Sequence, residues 1–376
     1  MPAVSASRKH PRFRTLDTEP WNGEPPIELL IERPETPAEL FYVRNHAPVP
    51  EVDPEGYRLT VEGLVRQPLS LSLDELRRDF RHAEAAVTLQ CAGNRRDELI
   101  RVRPVPGETP WGAGAISHAR WRGVPLAAVL AAAGVTEGAA HVAFAGLDQV
   151  EKRGERFPFG GSIPLAKALA SDGWVGGPGG VLLAWEMNGA PLLPEHGFPL
   201  RVVVPGYIGA RSVKWVGSIR VQEEPSDNHY QARAYKLFPP HVGPEDADWP
   251  RGLMLGELSL TSVIGSPLDG EELAAGRIVI RGYAMAGGDR TVERVELTAD
   301  GGRSWTVAEH DPAPPGVWSL WRAELELPAG GHELACRAWD SAANTQPERV
   351  EPLWNFKGYM NNAWHRVTIR CLEDGG

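Results

Sequence analysis

Apolar and polar positions alternate along YRLTVEGLV (57–65) and AAVTLQC (85–91), which predicts two strands. Between them, SLDELRRDF (72–80) carries the helix period, with Ser72 as N-cap and Glu75 three residues on. VPLAAVLAAAGV (124–135) predicts a short helix stopped by Gly134. HVAFAGLD (141–148) and VLLAWEMNG (181–189) read as strands separated by a loop around FGGSIPLAKALA (159–170). PLRVVVPGYIGARSVKWVGSIRV (199–221) reads as two strands around a turn at Pro205-Gly206.

The pattern changes near residue 240. RIVIRGYAMAG, TVERVELTADGG, WSLWRAELELPAGG and HELACRAWDSA are period-two strands divided by Gly, Asp and Pro turns, as in an immunoglobulin-type β-sandwich. The expected fold class is therefore α+β, with three parts. These are an extended Pro-rich arm (1–26), a mixed body (27–242) and a β-sandwich (243–376), with the second boundary inside PPHVGPEDADWP.

Composition narrows the function classes. A net charge of −10 argues against a general nucleic-acid binder. No apolar run is long enough for a membrane span, and MPAVSASRKHPRFR lacks the apolar stretch of a secretory signal. The expected compartment is the cytoplasm, or the periplasm for a processed form. Three cysteines without CxxC spacing form neither a disulfide framework nor a zinc site. Thirteen tryptophans imply much aromatic core or pocket lining.

One cysteine stands apart. In VTLQCAGNRR, Cys91 follows a strand and precedes Gly93, Arg95 and Arg96. Positive charge favours a thiolate, so this residue is either a nucleophile or a soft-metal ligand. A nucleophile wants a histidine base, and none is near in sequence. Cys336, in a sandwich strand, reads as buried core, and Cys371 carries no signal. Basic and polar residues recur in glycine-bearing loops: Arg44, His46, His196, Arg201, Arg211, Ser212 and Lys214, with Asp148 closing a strand. Together they suit a phosphate-bearing polyanion, although no P-loop or GxGxxG is present. NHYQARAYKLF and LWNFKGYMNNAWHRV gather further aromatic and basic residues without a legible spacing, and the second is expected to be a last strand packing its tryptophans on the sheet.

CAGNRR after a strand resembles the molybdenum-ligand motif of the sulfite oxidase family. WNGEPPIELL, FYVRNHAPVP, GAISHARWRGVPL, FAGLD, EMNG, HGFPLRVVVPGYIGARSVKW, DGGRSW, RAWDSAANTQP and WNFKGYMNNAWHRV resemble family blocks in the same order, from about residue 20 to 370. The resemblance implies a molybdopterin domain followed by a dimerisation domain, and hence a homodimer. It implies molybdenum held by Cys91 and one molybdopterin, with His46, Asp148, His196, Arg201, Ser212 and Lys214 around the cofactor. It assigns Arg44, Arg96 and Tyr235 to an anion pocket, Trp111 to an aromatic wall, and Lys357 to a position where animal and plant sulfite oxidases carry arginine. The implied reaction is oxidation of sulfite to sulfate. No haem domain precedes residue 20, so the electrons are expected to go to an external acceptor, oxygen or a cytochrome. The alternatives are a related enzyme acting on nitrate or another oxyanion or S-oxide, and a non-catalytic binding protein built on the sandwich.

Overall fold

The computed structural model describes residues 9–152, 154–170 and 180–373. In the arm, Arg14–Thr18 and Trp21–Glu24 pair as a hairpin, and Gly23 bridges to Val43 on the body. A side chain at Gly23 would collide with the Phe13 ring and the Arg14 carbonyl, so the hairpin depends on glycine there.

The body contains two five-membered sheets. In one, Gly160–Pro164, His141–Gly146, Val216–Gln222, Leu59–Gly63 and Leu69–Leu71 lie side by side. In the other, Leu182–Met187 and Ile116–Pro125 are flanked by Ala83–Gln90 and by the short strands Ala190–Pro191 and Arg201–Val203. The helix Leu73–Asp79 begins with the expected capping box: Ser72 Oγ accepts from the Glu75 amide at 3.1 Å, and the Ser72 amide donates to Glu75 Oε2 at 2.8 Å. The helix Leu126–Ala133 ends at Gly134, whose φ of 68° is the left-handed cap that glycine adopts without strain.

Two expectations change. FGGSIPLAKALA is not a loop: Gly160–Pro164 is an edge strand and Leu165–Leu169 a short helix beginning after Pro164. Glycine and proline suppressed the signal, yet an edge strand tolerates both. The two strands of 199–221 are not a hairpin either. Arg201–Val203 pairs with Leu182–Met187, whereas Val216–Gln222 lies parallel to Leu59–Gly63 in the other sheet. The link between them therefore crosses from sheet to sheet, through a 3-10 turn at Gly209–Arg211.

After residue 260 the chain forms a β-sandwich of a four-stranded and a five-stranded sheet. Ile280, Val295, Leu297, Leu334, Cys336 and Ile369 are buried between them. The last strand, His365–Leu372, starts later than the tryptophan-rich segment suggested. Residues 354–364 instead run back over the body. Met360 donates its amide to the Ala92 carbonyl at 2.8 Å, and Trp354 Nε1 reaches the Arg103 carbonyl at 2.8 Å. Gly358 and Met360 both have φ near 60°, which interrupts the strand alternation.

Arg95 fixes this junction. It sits in the left-handed region with φ of 63°, fully buried. Its guanidinium forks onto Glu98 at 2.7 and 2.8 Å and donates to the Ala363 carbonyl at 2.8 Å. Asn361 Nδ2 donates to both the Arg95 carbonyl and Glu98 Oε2 at 3.0 Å. Arg95→Met leaves a mostly buried carboxylate without its counter-charge, and urea unfolding should show a loss of about 3–5 kcal/mol. Adding Glu98→Leu should recover most of that loss, because neither charge is then stranded.

Candidate active site

The strand Ala83–Gln90 delivers Cys91 to a point between the two sheets. The Cys91 amide donates to the Ala115 carbonyl at 2.9 Å, and the Asn94 amide closes a turn onto the Cys91 carbonyl at 3.0 Å. The Gly93 amide points at Cys91 Sγ from 3.4 Å. A side chain at Gly93 would collide with the Arg96 guanidinium, so the turn needs glycine. Asn94 pins the turn by accepting from the Ala115 amide at 3.0 Å and donating to the Tyr283 hydroxyl, a residue of the sandwich, at 2.9 Å.

Cys91 opens onto a cleft lined by the groups described next. Nine of the residues singled out in sequence line it: Arg44, His46, Cys91, Asp148, His196, Arg201, Ser212, Lys214 and Tyr235. They come from the segment after the arm, from three strand ends and from the crossing link. Arg201 donates to the carbonyls of His196 at 2.9 Å and Ser212 at 3.2 Å, and its guanidinium lies 4.9 Å from the Trp121 ring centre. Lys214 donates to Asn45 Oδ1 and, at 2.8 Å, to the Glu195 carbonyl. Asp148 accepts from the Phe159 amide at 3.3 Å. His46 stacks on Phe159 with ring centres 4.4 Å apart, and its Nε2 is 2.9 Å from the Tyr235 hydroxyl.

The electrostatics are lopsided. Among the described residues Arg201 is buried and Arg44 and Lys214 are half-buried, all without an ion pair, and their donors go to carbonyls and amides. Burial pushes Arg201 down to about 10 and Lys214 well below the lysine range. Burial, followed by the charges of Arg44 and Lys214, holds His46 well below its ordinary value, so its ring is neutral at pH 7. His196 is held down likewise, by burial and then Lys9 and Lys214. Burial raises Asp148 to about 6 against the pull of Lys214. Unpaired buried cations are expensive. Such a cleft is complementary to an anion of more than one charge.

A recess continues from this cleft past Arg44 and His46, and Lys357, Glu108 and Tyr359 line its far side. Two expected residues lie behind these surfaces. Arg96 is buried, donating to the carbonyls of Gly358 at 3.0 Å and Thr109 at 2.8 Å, under a Tyr359 ring 5.1 Å away. Trp111 is fully buried and meets Tyr42 edge-on at 6.5 Å. Its indole N–H has no hydrogen-bond partner among the described residues.

Several neighbours had escaped the sequence reading. Asn45, between two candidates, accepts from Lys214 through Oδ1. Tyr359, stacked 5.2 Å from Tyr235, arrives on the returning C-terminal segment. Glu108 lies in a Gly/Pro loop, and Lys9 in the arm. Lys9 Nζ donates to the carbonyls of Ala38 at 2.7 Å and Phe41 at 2.9 Å and to His196 Nε2 at 3.1 Å. An ammonium only donates, so His196 accepts through Nε2.

A family model described as an oxidoreductase molybdopterin binding domain matches residues 46–230. A second, described as a Mo-co oxidoreductase dimerisation domain, matches residues 253–372. The chain is 39% identical over 382 residues to the sulfite oxidase of Arabidopsis thaliana, covering 96% of this chain and 95% of that protein. It belongs to the sulfite oxidase family. Within that family it is 47% identical over 371 residues to the mitochondrial sulfite oxidase of Homo sapiens, 96% of this chain but 66% of the human one. The chain thus spans about two thirds of its mammalian relatives. It is 38% identical over 391 residues to nitrate reductase [NADH] 2 of Phaseolus vulgaris, covering 98% of this chain and 43% of that protein. Among solved structures, the sulfane dehydrogenase SoxCD of Paracoccus pantotrophus superposes with a TM-score of 0.79 at 26% identity, over 98% of this chain and 88% of that one.

Family membership implies a molybdenum cofactor with molybdopterin, and the donor set fits it. No group of three or more His, Cys, Asp or Glu is clustered for a metal among the described residues. A metal at Cys91 would take one ligand from the protein and the rest from an organic group, whose phosphate would meet the surplus cations.

Lys9 yields a test of how the arm closes the site. Burial pushes it from 10.5 down to about 8, so between those values the unfolded chain holds the proton that the folded chain has released. Stability therefore rises with pH across that window. Lys9→Met removes this rise and leaves the Phe41 carbonyl without its lysine donor, while the Ala38 carbonyl keeps the Phe41 amide at 3.4 Å. Near pH 10.5, where the penalty of the buried charge is gone, urea unfolding should show a loss of about 1–3 kcal/mol from the missing hydrogen bonds.

Proposed function

We propose that this chain oxidises sulfite to sulfate at a molybdenum centre held by Cys91 and one molybdopterin, and passes the electrons to an external acceptor. The observation that carries this reading is the single cysteine, Cys91, set where an unpaired-cation cleft meets a second, cation-bearing recess. The cleft suits the cofactor, with Lys214, Arg201, Ser212 and His196 around its phosphate and His46 and Asp148 nearer the pterin. The recess suits the substrate.

When bound, the cofactor supplies oxygen-atom transfer coupled to storage of two electrons. The protein's own groups do the rest. Arg44 stays charged: burial alone would lower it, but Tyr235, Cys91, Tyr359 and Glu108 around it outweigh that and raise it. A fixed guanidinium at the junction attracts and orients a small oxyanion. Burial also raises Tyr235 well beyond its ordinary value, so its hydroxyl keeps its proton and remains a donor, held in place by the neutral His46. Trp111 and Tyr42 keep water from the thiolate side. Lys357 offers a point charge where arginine would offer a fork.

The dimerisation-domain match supports a homodimer built through the sandwich. Among the described residues no helix is long and apolar enough to cross a membrane, and the acceptor we favour is a diffusible one, oxygen or a c-type cytochrome.

Steady-state assays test the reading: sulfite should reduce ferricyanide, and nitrate should not be consumed with a reduced viologen donor. The reverse result would make it a nitrate-type enzyme. Cys91→Ser should retain the pterin, read by its fluorescence after release, while sulfite turnover falls by more than the about 10–100-fold typical of losing an outer-shell partner. Full activity in that variant would remove Cys91 from the metal.

A further inference from the structure

Glu108 enters the reaction described above only through the charge of Arg44, yet it lines the proposed substrate recess. One of its oxygens is paired with Lys357 Nζ, and the other lies 3.7 Å from Arg96. It is only 15% exposed, and Lys357 18%, so the pair is shielded from solvent. Gly107, with φ of 76°, turns the loop that delivers it. Glu108 also acts on Arg44, whose charged state it favours. The lining of the recess thus balances Arg44, Lys152 and Lys357 with Asp17, Glu19 and Glu108. Asp17 is occupied as an acceptor for Thr109 Oγ1 at 2.6 Å and Asn22 Nδ2 at 3.0 Å. Glu108 is the carboxylate placed on the cations themselves.

We propose that Glu108 is an internal counter-anion: it occupies the position that an incoming oxyanion needs on Lys357, and the oxyanion must displace it to bind. The inference rests on the reading that the recess admits sulfite. Its physical basis is the partner chosen. An ammonium on a flexible stem is a point charge that exchanges one carboxylate for another oxyanion without loss of fork geometry. The carboxylate weakens every anion in the recess, but in proportion to charge, because the repulsion is linear in charge. Glu108 therefore makes substrate binding looser and product release easier, and it narrows the advantage of dianions over monoanions.

The test uses the cofactor-loaded protein and measures binding of sulfate and of nitrate by isothermal titration calorimetry, so it does not depend on turnover. Glu108→Gln keeps the shape and removes the charge. Sulfate should bind about tenfold more tightly and nitrate about threefold, the square root expected for half the charge. Glu108→Ala should move sulfate in the same direction, which covers the case where glutamine distorts the loop. Adding Lys357→Met to Glu108→Gln should abolish the gain. Sulfate affinity unchanged in both single variants, or sulfate and nitrate shifted by the same factor, overturns the proposal. Tighter sulfate in a protein that does not oxidise sulfite keeps the counter-anion and overturns the reading of the reaction instead.

Discussion

Largely desolvated positive charge without an ion-pair partner is the constraint on which this structure turns. Arg44, Arg201 and Lys214 converge on one cleft, and none is paired with a carboxylate among the described residues. A chain folding for stability alone would not assemble them, since each desolvated cation opposes folding. Carbonyls of His196, Ser212 and Glu195 recover part of that penalty through hydrogen bonds. The remainder awaits an anion. The cleft is therefore suited to an anion before any comparison is made, and the cysteine at its edge is the group through which we propose a metal is held, with one protein ligand.

The topology exists to deliver those groups to one place. The link from Arg201–Val203 to Val216–Gln222 changes sheets, and in doing so carries Ser212 and Lys214 across the cleft. The arm closes one side with Lys9 beneath His196. The returning segment 354–364 closes the other with Lys357 and Tyr359, anchored by the Met360 amide on Ala92, the neighbour of Cys91. Pieces from both ends of the chain thus bracket a motif near residue 91. The sandwich is more than an appended module, because Tyr283 holds Asn94 and Ala363 holds Arg95.

What was legible in the sequence was local or carried by ordered motif blocks. The Ser72–Glu75 box and the Gly134 cap could be read because their geometry spans three or four residues. Eight of the nine cleft residues were legible because the blocks containing them keep their order along the chain; Tyr235 lies outside those blocks. The failures were non-local. Whether Arg201 and Lys214 flank a hairpin or a crossing depends on which strand each neighbour pairs with, and 199–221 does not encode that. Tyr359 and Lys9 reach the site from distant segments, and their importance is visible only in the folded contacts. Glu108 hid for another reason: a glutamate in a Gly/Pro loop reads as solvated surface, and only the opposing Lys357 makes it otherwise.

The adjacent arginines of CAGNRR show how one strained backbone position divides two tasks. On an extended strand, neighbours point apart by the pleat. Here Arg95 takes a φ of 63° at the start of the helix Arg96–Val102, which separates the two side chains within a turn. Arg95 is sent into the junction with the sandwich and locked on Glu98. Arg96 is sent under the substrate recess, its guanidinium held by two carbonyls and screened by Tyr359. A left-handed arginine is unfavourable by itself, and such strain persists where surrounding contacts over-determine it. Those contacts come from the loop Gly93 permits, from the sandwich and from the returning segment. The turn that presents Cys91 is therefore rigid only when both domains are folded, which couples the thiolate's position to the integrity of the whole chain.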